Sequence, residues 1–272
     1  MPNNQLPSYR PTTAALLVIA TVSSVFVLQN AWQLLMNNTA QAICHAQHAV
    51  SCPSNGTLAV ISLILTAISM IALLVIWQYF RLKNSPANRQ DLKTHRQAIA
   101  RCRQYLGIMP IKLTKSNAKI LLQSVCLLFA AIILSSFLVA MIGDMLGTDA
   151  TPTAGVSELL DDGTPIWLFS LLVLVFAPAY EELICRGLFW RLGWDIFSPI
   201  VSTPRQMAIA TSVLSSVIFA LLHFRHHLMD MMVMFAISLA MCYARIRTGS
   251  VFAPMLLHGL NNALALCLIL LD

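Results

Sequence analysis

Three short polar patterns in the carboxy-terminal part of this sequence place ionisable side chains inside runs of apolar residues. They are Glu-Glu-x-x-x-Arg, Phe-x-x-x-His and His-x-x-x-Asn, formed by Glu181, Glu182, Arg186, Phe219, His223, His258 and Asn262. Residues four apart share a face of a helix, so Glu182 can pair with Arg186. By the same spacing, each of the other two patterns brings its two ends together.

The two adjacent carboxylates are expected to have different roles. Successive residues of a helix are rotated by about 100°, so Glu181 and Glu182 can meet different partners. Neighbouring carboxyl groups in a low-dielectric site resist double ionisation. Arg186, one turn from Glu182, can hold that residue as a carboxylate, which leaves Glu181 poised to accept a proton.

Each pattern alone has an ordinary structural interpretation. The first is typical of an ion pair near a membrane boundary, and the second of a hydrogen-bonded histidine beside a packed phenylalanine. The third could join two helices, because polar side chains serve as interhelical contacts. Together, on neighbouring helices, they supply a general base, a second group that positions water, and donors for an oxyanion. Peptide hydrolysis requires these groups.

The composition indicates what must position these residues. Of the 272 residues, 58% are hydrophobic and 10% are charged, against about 45–50% and about 25% in soluble globular domains. So few charges cannot cover the surface of a soluble fold of this size, which excludes soluble, disordered and fibrous classes. The sequence predicts an all-α, polytopic transmembrane bundle, in which ionisable groups are destabilising and usually functional.

Seven apolar runs are long enough to cross a hydrocarbon core, which takes roughly 20 apolar residues as a helix. The predicted spans are Thr13–Met36, Leu58–Phe80, Ile120–Ile142, Ile166–Trp190, Met207–Phe224, Leu228–Ile246 and Val251–Leu271. The fourth, fifth and seventh spans carry the three patterns. We therefore predict an amino-terminal part of transmembrane helices, residues 1–165, and a catalytic transmembrane core, residues 166–272.

The basic residues predict how the chain is oriented. Ten of the 17 lysines and arginines lie between Arg81 and Lys119, and short cytoplasmic loops are enriched in these residues. This loop, and with it the amino terminus, is expected in the cytoplasm, with loops Asn37–Thr57 and Gly143–Pro165 outside. This charge distribution is expected equally of a protein in an inner or plasma membrane and of one in the endoplasmic reticulum. Because aromatic interleaving and a nucleic-acid motif are missing, no nucleic-acid partner is expected.

Two of the seven cysteines are candidates for a disulfide. Cys44 and Cys52 lie in the first outside loop, in a compartment that can be oxidising, and we predict that they are paired. Two free thiols near His45 and His48 are the alternative, and a metal site there is a further one. No Cys-x-x-Cys pair is present, so zinc-ribbon and thioredoxin-type sites have no support.

The three patterns, in this order on successive membrane helices, resemble the CPBP family. This is the CAAX protease and bacteriocin-processing group, also called ABI, which includes the type II CAAX prenyl endopeptidases. The segment Thr248–His258 resembles the lead-in to the last motif of that family. The resemblance covers about residues 166–271. The first 165 residues share with the family only that they are membrane-embedded.

The resemblance implies an intramembrane endopeptidase of the glutamate type that requires no cofactor and no metal. Glu181 would be the general base that activates water, and His223 would help to hold that water. His258 and Asn262 would stabilise the oxyanion. Supporting positions are implied for Glu182, Arg186 and Phe219.

The expected partners are the lipid bilayer and a membrane-associated protein or peptide substrate. The eukaryotic members of the family cleave prenylated CAAX proteins, whereas many relatives have no prenylated partner. Because nothing in the sequence reveals a prenyl-binding site, we predict proteolysis without CAAX specificity.

Three other functions are compatible with the residues. Two histidines and a glutamate could ligate zinc in a metalloprotease, although the sequence lacks His-Glu-x-x-His and Asn262 is a poor zinc ligand. A metal-ion or proton transporter is the second alternative, because intramembrane acids and histidines often mark ion pathways. The residues that suggest it form a dense cluster of His223, His226, His227 and Asp230. A catalytically silent membrane scaffold or immunity factor is the third alternative.

Overall fold

Helices account for the secondary structure of the chain. The computed structural model describes residues 8–47, 52–84, 95–112, 114–146, 160, 162–223 and 228–271, and within these it contains no strands. The helices are α1 (Pro11–Gln47), α2 (Asn55–Asn84), α3 (His95–Leu106), α4 (Lys115–Leu146), α5 (Ile166–Phe197), α6 (Pro204–Leu222), α7 (Leu228–Thr248) and α8 (Phe252–Leu271).

Seven of these helices, all except α3, are long and apolar enough to cross a membrane. A helix satisfies its backbone hydrogen bonds internally, as the hydrocarbon core requires. Large apolar side chains point outward from the bundle, for example Leu134 and Phe137 of α4, which are 68% and 69% exposed. Lipid is the solvent that suits such a surface. The predicted all-α, multi-pass membrane fold is confirmed.

The first helix is longer than its apolar run. α1 continues to Gln47, so the predicted end at Met36 is wrong and the first part of the predicted loop Asn37–Thr57 is helical. Hydropathy marks the residues that contact lipid, whereas a helix continues for as long as its local hydrogen bonds form. Cys44 therefore lies in α1, and a disulfide joins it to Cys52.

The fifth span also has different ends. α6 begins at Pro204, before the predicted Met207, because the Thr203 side chain accepts a hydrogen bond from the first turn. Threonine is a favourable N-cap, and proline suits the first helical position. The helix ends at Leu222, and the predicted last residue, Phe224, lies outside the described residues.

The central helix α5 contains two π-helical segments, Leu172–Phe176 and Leu183–Phe189. Every residue of the second segment is buried. π-Helical turns are rare and are often found at functional sites. The helix ends at Phe197, past the predicted end at Trp190, because its last turns still pack against α1 and α6.

The amino-terminal helices pack directly on the carboxy-terminal ones. The end of α3 meets α5 where Gly187 has no side chain, since a β-carbon there would lie 3.0 Å from the Leu106 carbonyl oxygen. α4 packs along α7, and Leu128 and Met241 share one buried cluster. Gly107 ends α3 with φ 71°, a left-handed conformation that glycine adopts without strain.

One end of the bundle joins the amino-terminal helices to the carboxy-terminal ones through a backbone hydrogen bond. The Val251 N–H donates to the Gly107 carbonyl at 3.0 Å, so the end of α3 contacts the connection between α7 and α8. The cytoplasmic location of this end stays a prediction. The division of the chain into residues 1–165 and 166–272 also stays a prediction.

Candidate active site

The carboxylate of Glu182 is the centre of a buried hydrogen-bond network. Its Oε1 atom accepts from Nη1 of Arg186 at 2.9 Å and lies 3.0 Å from Nδ1 of His258. Glu182 and Arg186 are both 0% exposed. A buried ion pair is stable only when further hydrogen bonds satisfy its remaining donors and acceptors. The pairing of Glu182 with Arg186 that the spacing predicts is therefore present, and His258 adds a second contact to the same oxygen. Glu182 Oε2 and Arg186 Nε have no hydrogen-bond partner among the described residues.

Arg186 also contacts two other helices. Its Nη2 atom donates to the backbone carbonyl of Ser238 at 2.9 Å and to the Ser238 hydroxyl at 2.6 Å. That hydroxyl donates to Ser216 of α6 at 2.9 Å. The guanidinium carbon lies 4.9 Å from the centre of the Phe219 ring. One arginine therefore connects α5, α6 and α7.

The backbone of the second π-helical segment is held by neighbouring helices. The Ser215 hydroxyl of α6 donates to the Cys185 carbonyl at 2.9 Å, and Nε of Arg245 in α7 donates to the Arg186 carbonyl at 2.9 Å. A backbone carbonyl in an apolar interior needs a partner, and side chains supply it where the helical pattern changes.

The contact with Glu182 determines which nitrogen of His258 carries a proton. Because the arginine-paired carboxylate accepts, Nδ1 of His258 donates. The other ring nitrogen, Nε2, lies 3.9 Å from Oε2 of Glu181. The Phe219 ring meets the imidazole edge-on at 5.7 Å between centroids. The proton on Nδ1 and the ring plane of His258 are thus both fixed by buried neighbours.

Glu181 has surroundings unlike those of Glu182. Its side chain is 11% exposed, and its Oε2 atom, like the Oε2 atom of Glu182, has no hydrogen-bond partner among the described residues. A buried carboxylate oxygen without a partner is destabilising, and such a group calls for a specific explanation. One carboxylate is therefore anchored by a cation, while the other faces a histidine across a short gap.

His223 is the first residue after α6, and its imidazole packs against Phe219 with 4.9 Å between ring centroids. Its Nδ1 atom donates to the Phe219 carbonyl at 2.8 Å. Phe219 is 1% exposed and contacts the rings of both His223 and His258. A single buried phenylalanine thus links the second and third patterns.

Asn262 lies one turn after His258 on α8. Its Nδ2 atom donates to the Val173 carbonyl in the first π-helical segment at 2.8 Å, and its Oδ1 accepts from Asn261 at 3.2 Å. A carboxamide nitrogen carries two N–H donors. One N–H of Asn262 therefore ties α8 to α5, and the other is left for a further acceptor.

Sequence reasoning does not identify four residues of this network, which are Ser215, Ser216, Ser238 and Arg245. A buried serine has no distinctive sequence signal, because serine is common in membrane helices as a small contact residue. Arg245 lies near the end of the predicted span Leu228–Ile246, where a base is expected at the membrane boundary, although it is 9% exposed. The sequence signal that could have identified Arg245 is its position inside the last apolar turn of a span, where a charged side chain needs a hydrogen-bond partner.

Within the part of the chain that the structure describes, no group of three or more histidine, cysteine, aspartate or glutamate side chains has an arrangement that could hold a metal ion. The ionisable cluster that suggests a transporter includes His226 and His227, which lie outside the described residues.

Seven apolar helices around a buried cluster of carboxylates, arginine and histidines define a multi-pass integral membrane protein. Residues 163–264 match the family model described as type II CAAX prenyl endopeptidase Rce1-like, a family of membrane proteases. All residues of the three patterns lie within the match, which confirms the resemblance that they indicate. The comparisons with curated proteins and with solved structures gave no match.

Proposed function

We propose that this protein is an intramembrane endopeptidase that hydrolyses peptide bonds with water activated by Glu181. The family match supports a peptidase, and the buried network supports a mechanism in which Glu181 and His258 act together. The substrate we propose is a membrane-associated protein or peptide. Proteolysis would proceed without a covalent intermediate on the enzyme.

One observation carries the proposal, which is that Glu181 Oε2 and His258 Nε2 face each other at 3.9 Å. This separation exceeds a direct hydrogen bond, and a polar gap of this size is suited to a bridging water. Oε2 has no hydrogen-bond partner among the described residues. Because Glu182 is the carboxylate that pairs with Arg186, we assign Glu181 as the proton acceptor. A general base must lie within hydrogen-bond reach of the proton that it removes.

The reaction then follows from the groups in place. Glu181 takes a proton from water while the water oxygen attacks the scissile carbonyl carbon. The resulting oxyanion accepts hydrogen bonds from His258 and from the second N–H of Asn262. Glu181 passes its proton to the leaving amine as the peptide C–N bond breaks. We propose that His223, held against Phe219, helps to hold the attacking water.

The hydrogen bond from Nδ1 of His258 to Glu182 constrains the proposed role of His258. Because Nδ1 donates to Glu182, His258 can also donate to an oxyanion only when Nε2 carries a proton. The positive charge of that imidazolium would be balanced by the carboxylates, since Arg186 neutralises only one of the two. The buried group would then be neutral overall, which a low-dielectric interior favours.

The test is to find cleavage that depends on Glu181. Wild type, Glu181→Gln and Asp144→Asn would each be reconstituted in lipid nanodiscs and incubated with a library of transmembrane and prenylated peptides, with products identified by mass spectrometry. Asp144→Asn is the matched control, because it removes an exposed carboxylate at the end of α4. We expect products from wild type and the control only, with a loss of about 10²–10⁴ in rate for Glu181→Gln. Full cleavage by Glu181→Gln would refute the assignment.

A further inference from the structure

Helix α7 contributes no residue to the three sequence patterns, yet it contacts Arg186 at two points. The Ser238 hydroxyl and carbonyl accept from the Arg186 guanidinium, while Arg245 donates to the Arg186 backbone carbonyl. Ser238 and Arg245 are seven residues, or about two turns, apart on one face of α7. One helix therefore holds both the side chain and the backbone of this arginine.

A chain of hydrogen bonds leads from α7 to the imidazole of His258. Ser238 accepts from Arg186 at 2.6 Å, Arg186 donates to Glu182 at 2.9 Å, and Glu182 lies 3.0 Å from His258. Ser238, Arg186 and Glu182 are each 0% exposed. In an interior without competing water, each bond of such a chain is strengthened by the others.

We propose that Ser238 is a positioning residue for His258, acting through Arg186 and Glu182. This inference rests on the proposed peptidase function for its kinetic consequence and on geometry alone for its structural one. The Ser238 hydroxyl fixes the guanidinium by accepting from Nη2 and donating to Ser216. A guanidinium fixed in this way directs its other N–H group at Glu182, and the carboxylate then holds the proton on Nδ1 of His258.

Removal of the hydroxyl should loosen this chain without removing a group that touches substrate. Alanine is a good helix former, so Ser238→Ala does not weaken α7 through helix propensity. Ser238→Cys keeps the buried volume and replaces a strong acceptor by a weak one. Ser124→Ala is the matched control, because Ser124 is also 0% exposed and its hydroxyl bonds only the Ile120 carbonyl of its own helix.

The first measurement requires no activity. Nitrogen-15 spectra of histidine-labelled protein in nanodiscs, with the His258 signals assigned from a His258→Gln sample, report which ring nitrogen is protonated. We expect Nδ1 to be fully protonated in wild type and Ser124→Ala. In Ser238→Ala and Ser238→Cys we expect a second population of His258 in which Nδ1 carries no proton.

The second measurement is steady-state kinetics on a peptide that wild type cleaves and Glu181→Gln does not. We expect kcat to fall about tenfold or more in both Ser238 variants, since small displacements of catalytic groups have effects of that size. KM should stay within about twofold, because a positioning residue makes no ground-state contact with substrate.

The two readouts separate the possible failures. Unchanged nitrogen-15 signals and unchanged kcat in both Ser238 variants would overturn the inference. A fall in kcat with unchanged His258 signals would overturn it too, because the loss would then arise without displacement of the imidazole. Absence of any wild-type cleavage would count against the proposed function, while the spectra would still decide the role of Ser238.

Discussion

Nδ1 of His258 lies 3.0 Å from Oε1 of Glu182, although the two residues are 76 positions apart in the chain. The same oxygen accepts a hydrogen bond from Arg186, so a single buried carboxylate orients both a cation and an imidazole. The consequence is that Nε2 of His258 faces Glu181. Adjacent carboxylates on one helix thus reach opposite sides of one histidine ring.

Loss of the Glu182 charge should reduce stability as well as activity. Glu182→Gln leaves the buried Arg186 guanidinium without its counter-charge, and breaking a buried pair in this way costs about 3–5 kcal/mol. We expect a lower midpoint of thermal unfolding in detergent, followed by circular dichroism. The double substitution Glu182→Gln with Arg186→Met removes the stranded cation and should recover part of the loss. A double variant less stable than Glu182→Gln alone would contradict this account.

How much of this site can be predicted from sequence depends on the kind of signal. An ionisable residue inside an apolar run is visible in one dimension, and helical spacing brings Glu182 to Arg186. The approach of His258 to Glu182 is a tertiary contact, for which local spacing carries no information. Ser238 is invisible for another reason, because one buried serine resembles every other serine in a membrane helix.

The fold, like the site, has features that local sequence predicts and features that depend on tertiary contacts. Hydropathy predicts the seven spans because lipid selects apolar side chains along each of them. It does not predict that α1 continues to Gln47, since polar residues from Asn37 onward interrupt the apolar run, or that Leu183–Phe189 is π-helical. A π-helical turn depends on partners for its carbonyls, here Ser215 and Arg245, and those partners come from other helices.

Activity should survive strong chelation and reagents directed at serine or cysteine nucleophiles. The proposed mechanism needs neither a metal ion nor a covalent intermediate, and Cys185, inside the first pattern, is 0% exposed. The measurement is the rate of peptide cleavage after treatment with o-phenanthroline, with a sulfonyl fluoride or with iodoacetamide. Loss on chelation with recovery on added zinc would instead support the metalloprotease alternative.

The basic loop should be accessible from the cytoplasm. Single cysteines would replace His95 and Asp162, which are both exposed, in a chain whose exposed Cys126 and Cys267 have been changed to serine. A membrane-impermeant maleimide added to intact cells should label position 162 and leave position 95 unlabelled until the membrane is opened. Labelling of position 95 in intact cells would invert the predicted topology.

The two adjacent asparagines of α8 allow a sharp test of the oxyanion donor. Asn262→Ala removes the amide that we propose as a donor, and loss of one such donor reduces kcat by about 10²–10³. Asn261→Ala is the matched control, because it removes a neighbouring amide of the same size whose hydrogen bond goes only to Asn262 Oδ1. Asn262→Ala also loses the bond to Val173, so thermal unfolding must be measured beside kcat to separate a lost donor from a loosened helix. We expect the kcat of Asn262→Ala to fall far below that of Asn261→Ala while both unfold within a few degrees of wild type. Equal kcat values for the two variants would show that Asn262 ties α8 to α5 and stabilises no oxyanion.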